Sequence, residues 1–117
     1  MRIVTVYHDT ESNFLSTDRT EENFGRGTCK AVAVVRCSAA ADDDLKALDQ
    51  AFERTNTIDR PWWENEGVTK CFKDDGCRST SVGDVMVVID LENPKHVAMY
   101  VVESMGFRHI APQQRVN

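Results

Sequence analysis

The chain has 117 residues, 41% of them apolar and 28% charged, which is the profile of one ordinary globular domain and excludes wholesale disorder. Its formal charge is −5, with 11 acidic against 8 basic residues in 1–60 and 8 against 6 in 61–117; no basic stripe is visible, so nucleic-acid binding is not expected. No run approaches the ~20 apolar residues of a membrane span, and the apolar start is too short for a signal peptide, so the protein is expected to stay in the cytoplasm, away from membranes.

Residues 2–8 are β-branched and read as a first strand. The polar stretch 9–29 contains Asp18-Arg19-Thr20-Glu21, which has the spacing of a capping box and predicts a short helix over about 18–24. Phe14, Leu15 and Phe24 would pin this segment to the body, and Gly25-Arg26-Gly27 would end it. Residues 30–37 read as a second strand, with Ala31, Ala33 and Val35 on one face and Val32 and Val34 on the other.

The main helix is expected over about 42–56. Asp42, Asp43 and Asp44 lie where the helix dipole favours negative charge. Leu45, Leu48 and Phe52 recur at helical spacing with Ala41 and Ala51 beside them, which is a core-facing stripe. Pro61 stops any continuation. Residues 57–81 have no sustained period, and so long an irregular segment in a small domain is usually functional.

The last third reads as β structure. Val85 to Ile89 is an unbroken apolar run, as in a strand covered on both faces. A turn over 91–95, a strand over 97–102, a turn at Ser104-Met105-Gly106 and a short strand over 107–110 follow. The tail from Pro112 is expected to fray. The fold class is therefore α+β, a single domain over 1–117. About five mostly antiparallel strands pack on the 42–56 helix, with long irregular connections. An exposed strand edge in such a sheet also admits a homodimer.

Cys29, Cys37, Cys71 and Cys77 make an even count, but without a secretory signal the thiols are expected to be free. Cys29 and Cys37 flank one strand, roughly 26 Å apart if it is extended, so they cannot share an ion. Cys71 and Cys77 are spaced more widely than usual zinc pairs, and no metal or other cofactor is expected. His8, His96 and His109 are the available histidine bases. His8 and Asp9 are adjacent on a strand and point to opposite faces, so they are not read as a catalytic pair. With no nucleophile elbow, P-loop or dinucleotide fingerprint, no catalytic residue is assigned.

The segment Arg78-Ser79-Thr80-Ser81-Val82-Gly83-Asp84-Val85-Met86-Val87-Val88, followed by Tyr100-Val101-Val102 and Gly106-Phe107, resembles small phage and mobile-element proteins with a YodL-type C-terminal domain. Phe52 and Asn56 fill their upstream Phe-x-x-x-Asn element. The stretches His8 to Phe24 and Ile58-Asp59-Arg60-Pro61-Trp62-Trp63 are similar in style to actinobacteriophage early-region proteins. The resemblance implies a phage accessory protein and brings no established reaction.

Within that setting, Arg60, Trp62, Trp63 and Glu64 stand out, because Arg and Trp dominate binding hot spots. Of the two indoles, one is expected buried and the other at least partly exposed. The leading expectation is a non-enzymatic protein that binds a host or defence component through this segment. The alternative is a small nucleotide- or metabolite-binding protein, or a weak enzyme, with its cleft between the 42–56 helix and residues 57–81. Ser79, Ser81 and Asp84 are the weaker candidates for ligand contact, against a purely structural turn.

Overall fold

The computed structural model describes residues 1–10, 24 and 27–110. The helix expected over 18–24, the side chains of Phe14 and Leu15, and the tail from Pro112 lie outside these residues, Phe24 excepted. The α+β architecture is as expected, with six strands where the sequence suggests about five. β1 (Arg2–Asp9), β2 (Cys29–Arg36), β3 (Val68–Lys70), β4 (Val85–Asp90), β5 (Asn93–Glu103) and β6 (Gly106–Ile110) form one antiparallel sheet, ordered β3-β2-β1-β4-β5-β6. α1 (Asp44–Arg54) lies on one face, and a 3-10 turn, Trp62–Glu64, precedes β3.

Strand alternation decides which side chains meet the helix. Val4 pairs with Val35 and Val88, and Val6 with Ala33 and Met86, so these residues form the core beneath α1. Val85 turns the other way and packs with Val101, Ile110 and Tyr7. The Phe24 ring stands edge-on to Tyr7 at 5.2 Å. The apolar run of β4 thus feeds both faces, with Val87 and Ile89 only half-buried.

The start of β2 departs from this alternation. Val6 pairs with Ala33 but Tyr7 pairs with Ala31, so Val32 is an extra residue in β2. Val32 and Ala33 are consequently both buried while Ala31 is exposed. The simple alternation that puts Ala31 on the face of Ala33 and Val35 is broken by this bulge.

α1 starts two residues later and stops two earlier than its charge and apolar pattern suggest. Asp43 is the N-cap, its carboxylate accepting from Lys46 N at 2.8 Å. At the far end the Thr55 hydroxyl donates to Ala51 O at 2.8 Å and the Asn56 amide to Phe52 O at 2.9 Å, closing the last carbonyls. The buried face is Ala47, Leu48 and Ala51 with Phe52 at its margin, and Leu45 is 58% exposed. Leu45 lies about 100° round the helix from the centre of that face. Small alanines, which a stripe of large residues overlooks, are what let the helix lie close to the sheet.

β3 was hidden within the irregular 57–81 segment. Three residues, two of them exposed, carry no readable period; Arg36 N–H to Gly67 O and Cys71 N–H to Val32 O hold the strand against β2. The β4–β5 hairpin turns through Leu91-Glu92 alone, so β5 begins at Asn93 rather than after Pro94.

Candidate functional site

The bulge in β2 and the end of β1 form a half-open cleft bordered by the 71–78 loop. The cavity measures about 500 Å³. Its walls bring together the last residues of β1, the first of β2 and the loop, with His8 and Cys77 on its surface. Val32 and Phe72 supply an apolar wall, and Lys30 and Asp74 bring opposite charges to its lining.

His8 follows the parity of Val4 and Val6, so it faces inward and is 5% exposed. Its Nδ1 lies 3.6 Å from Cys77 Sγ, and its Nε2 lies 3.1 Å from Thr80 Oγ1 and 3.8 Å from Asp84 Oδ2. The geometry suits the tautomer in which Nε2–H donates to Thr80 and Nδ1 accepts from the thiol. Burial holds the imidazole pKa down to about 4, against the pull of Asp84 upward, so His8 is neutral at pH 7. Burial likewise pushes the Cys77 thiol up, opposed by Arg78.

The loop carrying Cys77 is braced at two points. Asp84 is fully buried: Oδ1 accepts from Asp9 N and Arg78 Nη2, and Oδ2 accepts from Ser81 N and Arg78 Nη1 at 2.6 Å. This fork-to-fork pair holds the Arg78 pKa above its ordinary value. Trp62 is 2% exposed, and its indole N–H lies 3.1 Å from both Cys77 O and Arg78 O. Phe72 stands against the rings of Trp62 and Trp63 at 5.7 and 5.4 Å, with Lys70 Nζ 4.7 Å from its centroid.

The residues singled out in the sequence fall on both sides of this assembly. Trp62 is core, which removes it from any partner-facing surface; Trp63 is half-buried, as expected of one indole of the pair. Arg60 is exposed and donates to Asn65 Oδ1 at 2.6 Å, and Glu64 is exposed. Ser79, Ser81 and Asp84 do not line the cavity: Asp84 and Ser81 brace Arg78, and Ser79 O accepts from the same guanidinium. The cavity takes in part of the 57–81 segment, but its other wall is the end of the sheet rather than α1.

His8 and Asp9 do not pair; the Asp9 carboxylate accepts from the Thr28 hydroxyl at 3.1 Å. The carboxylate beside His8 is Asp84, 76 positions further along. Cys77 and Thr80, the other neighbours of His8, are equally remote in sequence. The signal that could have found them is the polar His8 on the parity of Val4 and Val6. Burial and the charges of Asp9 and Asp84 push the Cys29 thiol up to about 12. All four cysteines are free thiols, and among the described residues no three His, Cys, Asp or Glu side chains gather as a metal set.

A second polar cluster ties α1 to the sheet. Asp44 accepts from Arg2 Nε at 3.0 Å and from Tyr100 Oη at 3.2 Å, with His96 Nε2 at 2.8 Å. Burial opposes ionisation of Asp44, yet the hydrogen bonds from His96 and Arg2 outweigh it and keep the carboxyl pKa below its ordinary value.

No family model, curated protein or solved structure matches the chain. Among the described residues no helix is long and apolar enough to cross a membrane.

Proposed function

We propose that the protein binds a small nucleotide or similarly sized metabolite in the cleft between the end of β1, the bulged start of β2 and the 71–78 loop. The observation that carries this reading is the cavity of about 500 Å³ on which buried His8 and half-buried Cys77 converge. That volume is in the range of small-ligand sites, and an apolar wall with a few converging polar groups is their usual composition. The setting, a phage accessory protein of the host cytoplasm, rests on the resemblance of Arg78–Val88 and its flanking motifs.

The test is a thermal-shift screen of nucleotides and common metabolites on the native protein and on Ala31→Phe. Ala31 is exposed and lines the cavity, so the larger ring fills the site without entering the core. A ligand at 100 times its dissociation constant adds about 2.7 kcal/mol of stability. That gain is expected in the native protein and is lost in Ala31→Phe. An equal gain in both proteins would place the ligand elsewhere.

Ile58, 99% exposed in the same loop as Arg60 and close in sequence to half-buried Trp63, favours a second reading in which this loop meets a host or defence protein. On that reading Ile58→Asp and Glu64→Lys, both at exposed positions, keep the thermal midpoint within a few degrees and lose a partner captured by the native protein. Retention of the same partner by both variants would remove it.

A further inference from the structure

We infer that Cys77 is a nucleophilic thiol and His8 its general base, and that the cleft acts on activated acyl groups, esters or thioesters small enough to enter it. The inference rests on the binding role of the same cavity and adds chemistry to it.

The parts stand in the required order. A nucleophile needs a base within reach, and the base needs a group that orients it and steadies the charge it acquires. Sγ and Nδ1 are 3.6 Å apart, a distance typical of such pairs before a ligand tightens them. On the far side of the ring, Thr80 Oγ1 lies 3.1 Å from Nε2, and the Asp84 carboxylate, which only accepts, favours the proton on Nε2 and faces the positive charge that develops when Nδ1 takes a proton.

The step balances without a co-reactant other than water. The thiol proton passes to Nδ1 as Sγ bonds to the acyl carbon. The bond from that carbon to the leaving group then breaks, and the leaving group takes the proton back. In the second half water gives a proton to Nδ1 and attacks the thioester. The carbon–sulfur bond breaks, and Sγ recovers the proton. Thr80, Asp84, Arg78 and Trp62 touch no reacting atom here and are positioning residues.

The charged and titratable neighbours fix the pH signature. His8 faces Cys77, Asp84 and Arg78, and Cys77 faces Arg78, Asp84 and Asp74. A thiol that reacts through a neutral neighbouring base loses its proton during attack, so its rate is nearly flat between pH 5.5 and 8, above the His8 pKa of about 4. A thiol that reacts only as free thiolate speeds up about tenfold per pH unit over the same range.

The experiment treats the full chain with p-nitrophenyl acetate. It follows nitrophenolate release and locates the acetyl group by peptide mass, for the native protein, Cys77→Ser and His8→Gln. The expected result is acetylation at Cys77 with a flat pH profile, and none in Cys77→Ser. His8→Gln is expected to slow it about 100-fold and to restore the tenfold-per-unit pH dependence. Acetyl spread over exposed Cys71 and the lysines, or a native profile that climbs with pH as for a free thiolate, would overturn the inference. If His8→Gln fails to fold, the native pH profile decides alone. Should acetylation fail while ligands still stabilise the native protein and not Ala31→Phe, the nucleophile falls and the binding site stands. Should neither occur, both fall.

Discussion

Trp62 sits with its ring against His8, Trp63 and Phe72, and its indole N–H shared between two carbonyls of the loop that carries Cys77. Two jobs are combined in one side chain, filling volume and holding a backbone, and substitutions can separate them. Trp62→Ala removes both and is expected to cost about 3–5 kcal/mol in urea denaturation, the usual cost of deleting a large buried ring. Trp62→Phe keeps most of the packing and loses the donor, for roughly 1–3 kcal/mol. The same variant should raise the iodoacetamide reactivity of Cys77 several-fold while leaving exposed Cys71 unchanged. A loop held independently of the indole would show no change in thiol reactivity. The sequence placed two indoles together and marked one as buried, but their use as a brace depends on carbonyls 15 and 16 residues away.

At the scale of elements, strong periods were legible and short or irregular pieces were not. The first strand, the helix and the C-terminal strands stand nearly where their patterns put them, because long alternating or helical repeats admit few other burials. β3 and the β2 bulge escaped for the opposite reason: each involves so few residues that tertiary pairing, not propensity, decides it. Gly67 makes the β3 case testable. It has φ of +78°, and a Cβ there would stand 2.6 Å from Arg36 O, a backbone atom that cannot step aside cheaply. Gly67→Ala is therefore expected to cost of order 1–3 kcal/mol. The loss should be local, since β3 lies at the sheet edge. Hydrogen exchange should speed up at the Arg36 and Cys71 amides, which bond to Gly67 and Val32, while the β1–β4 ladder keeps its protection.

For the whole molecule, the buried titratable groups set a pH dependence that composition alone conceals. His8 is the larger contributor. Its ordinary pKa of 6.5 in the unfolded chain drops to about 4 in the fold, because burial disfavours the imidazolium. Above pH 6.5 both states are neutral and folding carries no penalty. As pH falls from 6.5 towards 4, the unfolded chain takes up a proton that the fold refuses, and roughly 3 kcal/mol of stability is lost. Asp44 acts lower: its folded pKa is depressed, so its contribution is complete above the ordinary carboxyl range and disappears as pH falls through the folded value. Two acid limbs are thus expected, one between pH 6.5 and 4 from beneath the cleft and one below it from the α1 tether. A domain of this size has only about 5–15 kcal/mol in hand, so the first limb is a sizeable share. Urea denaturation at half-unit steps from pH 7.5 to 2 measures both limbs. His8→Gln should flatten the upper limb and leave the lower one. An upper limb that survives in His8→Gln would assign the proton to another group and remove the case for a buried neutral imidazole beside Cys77.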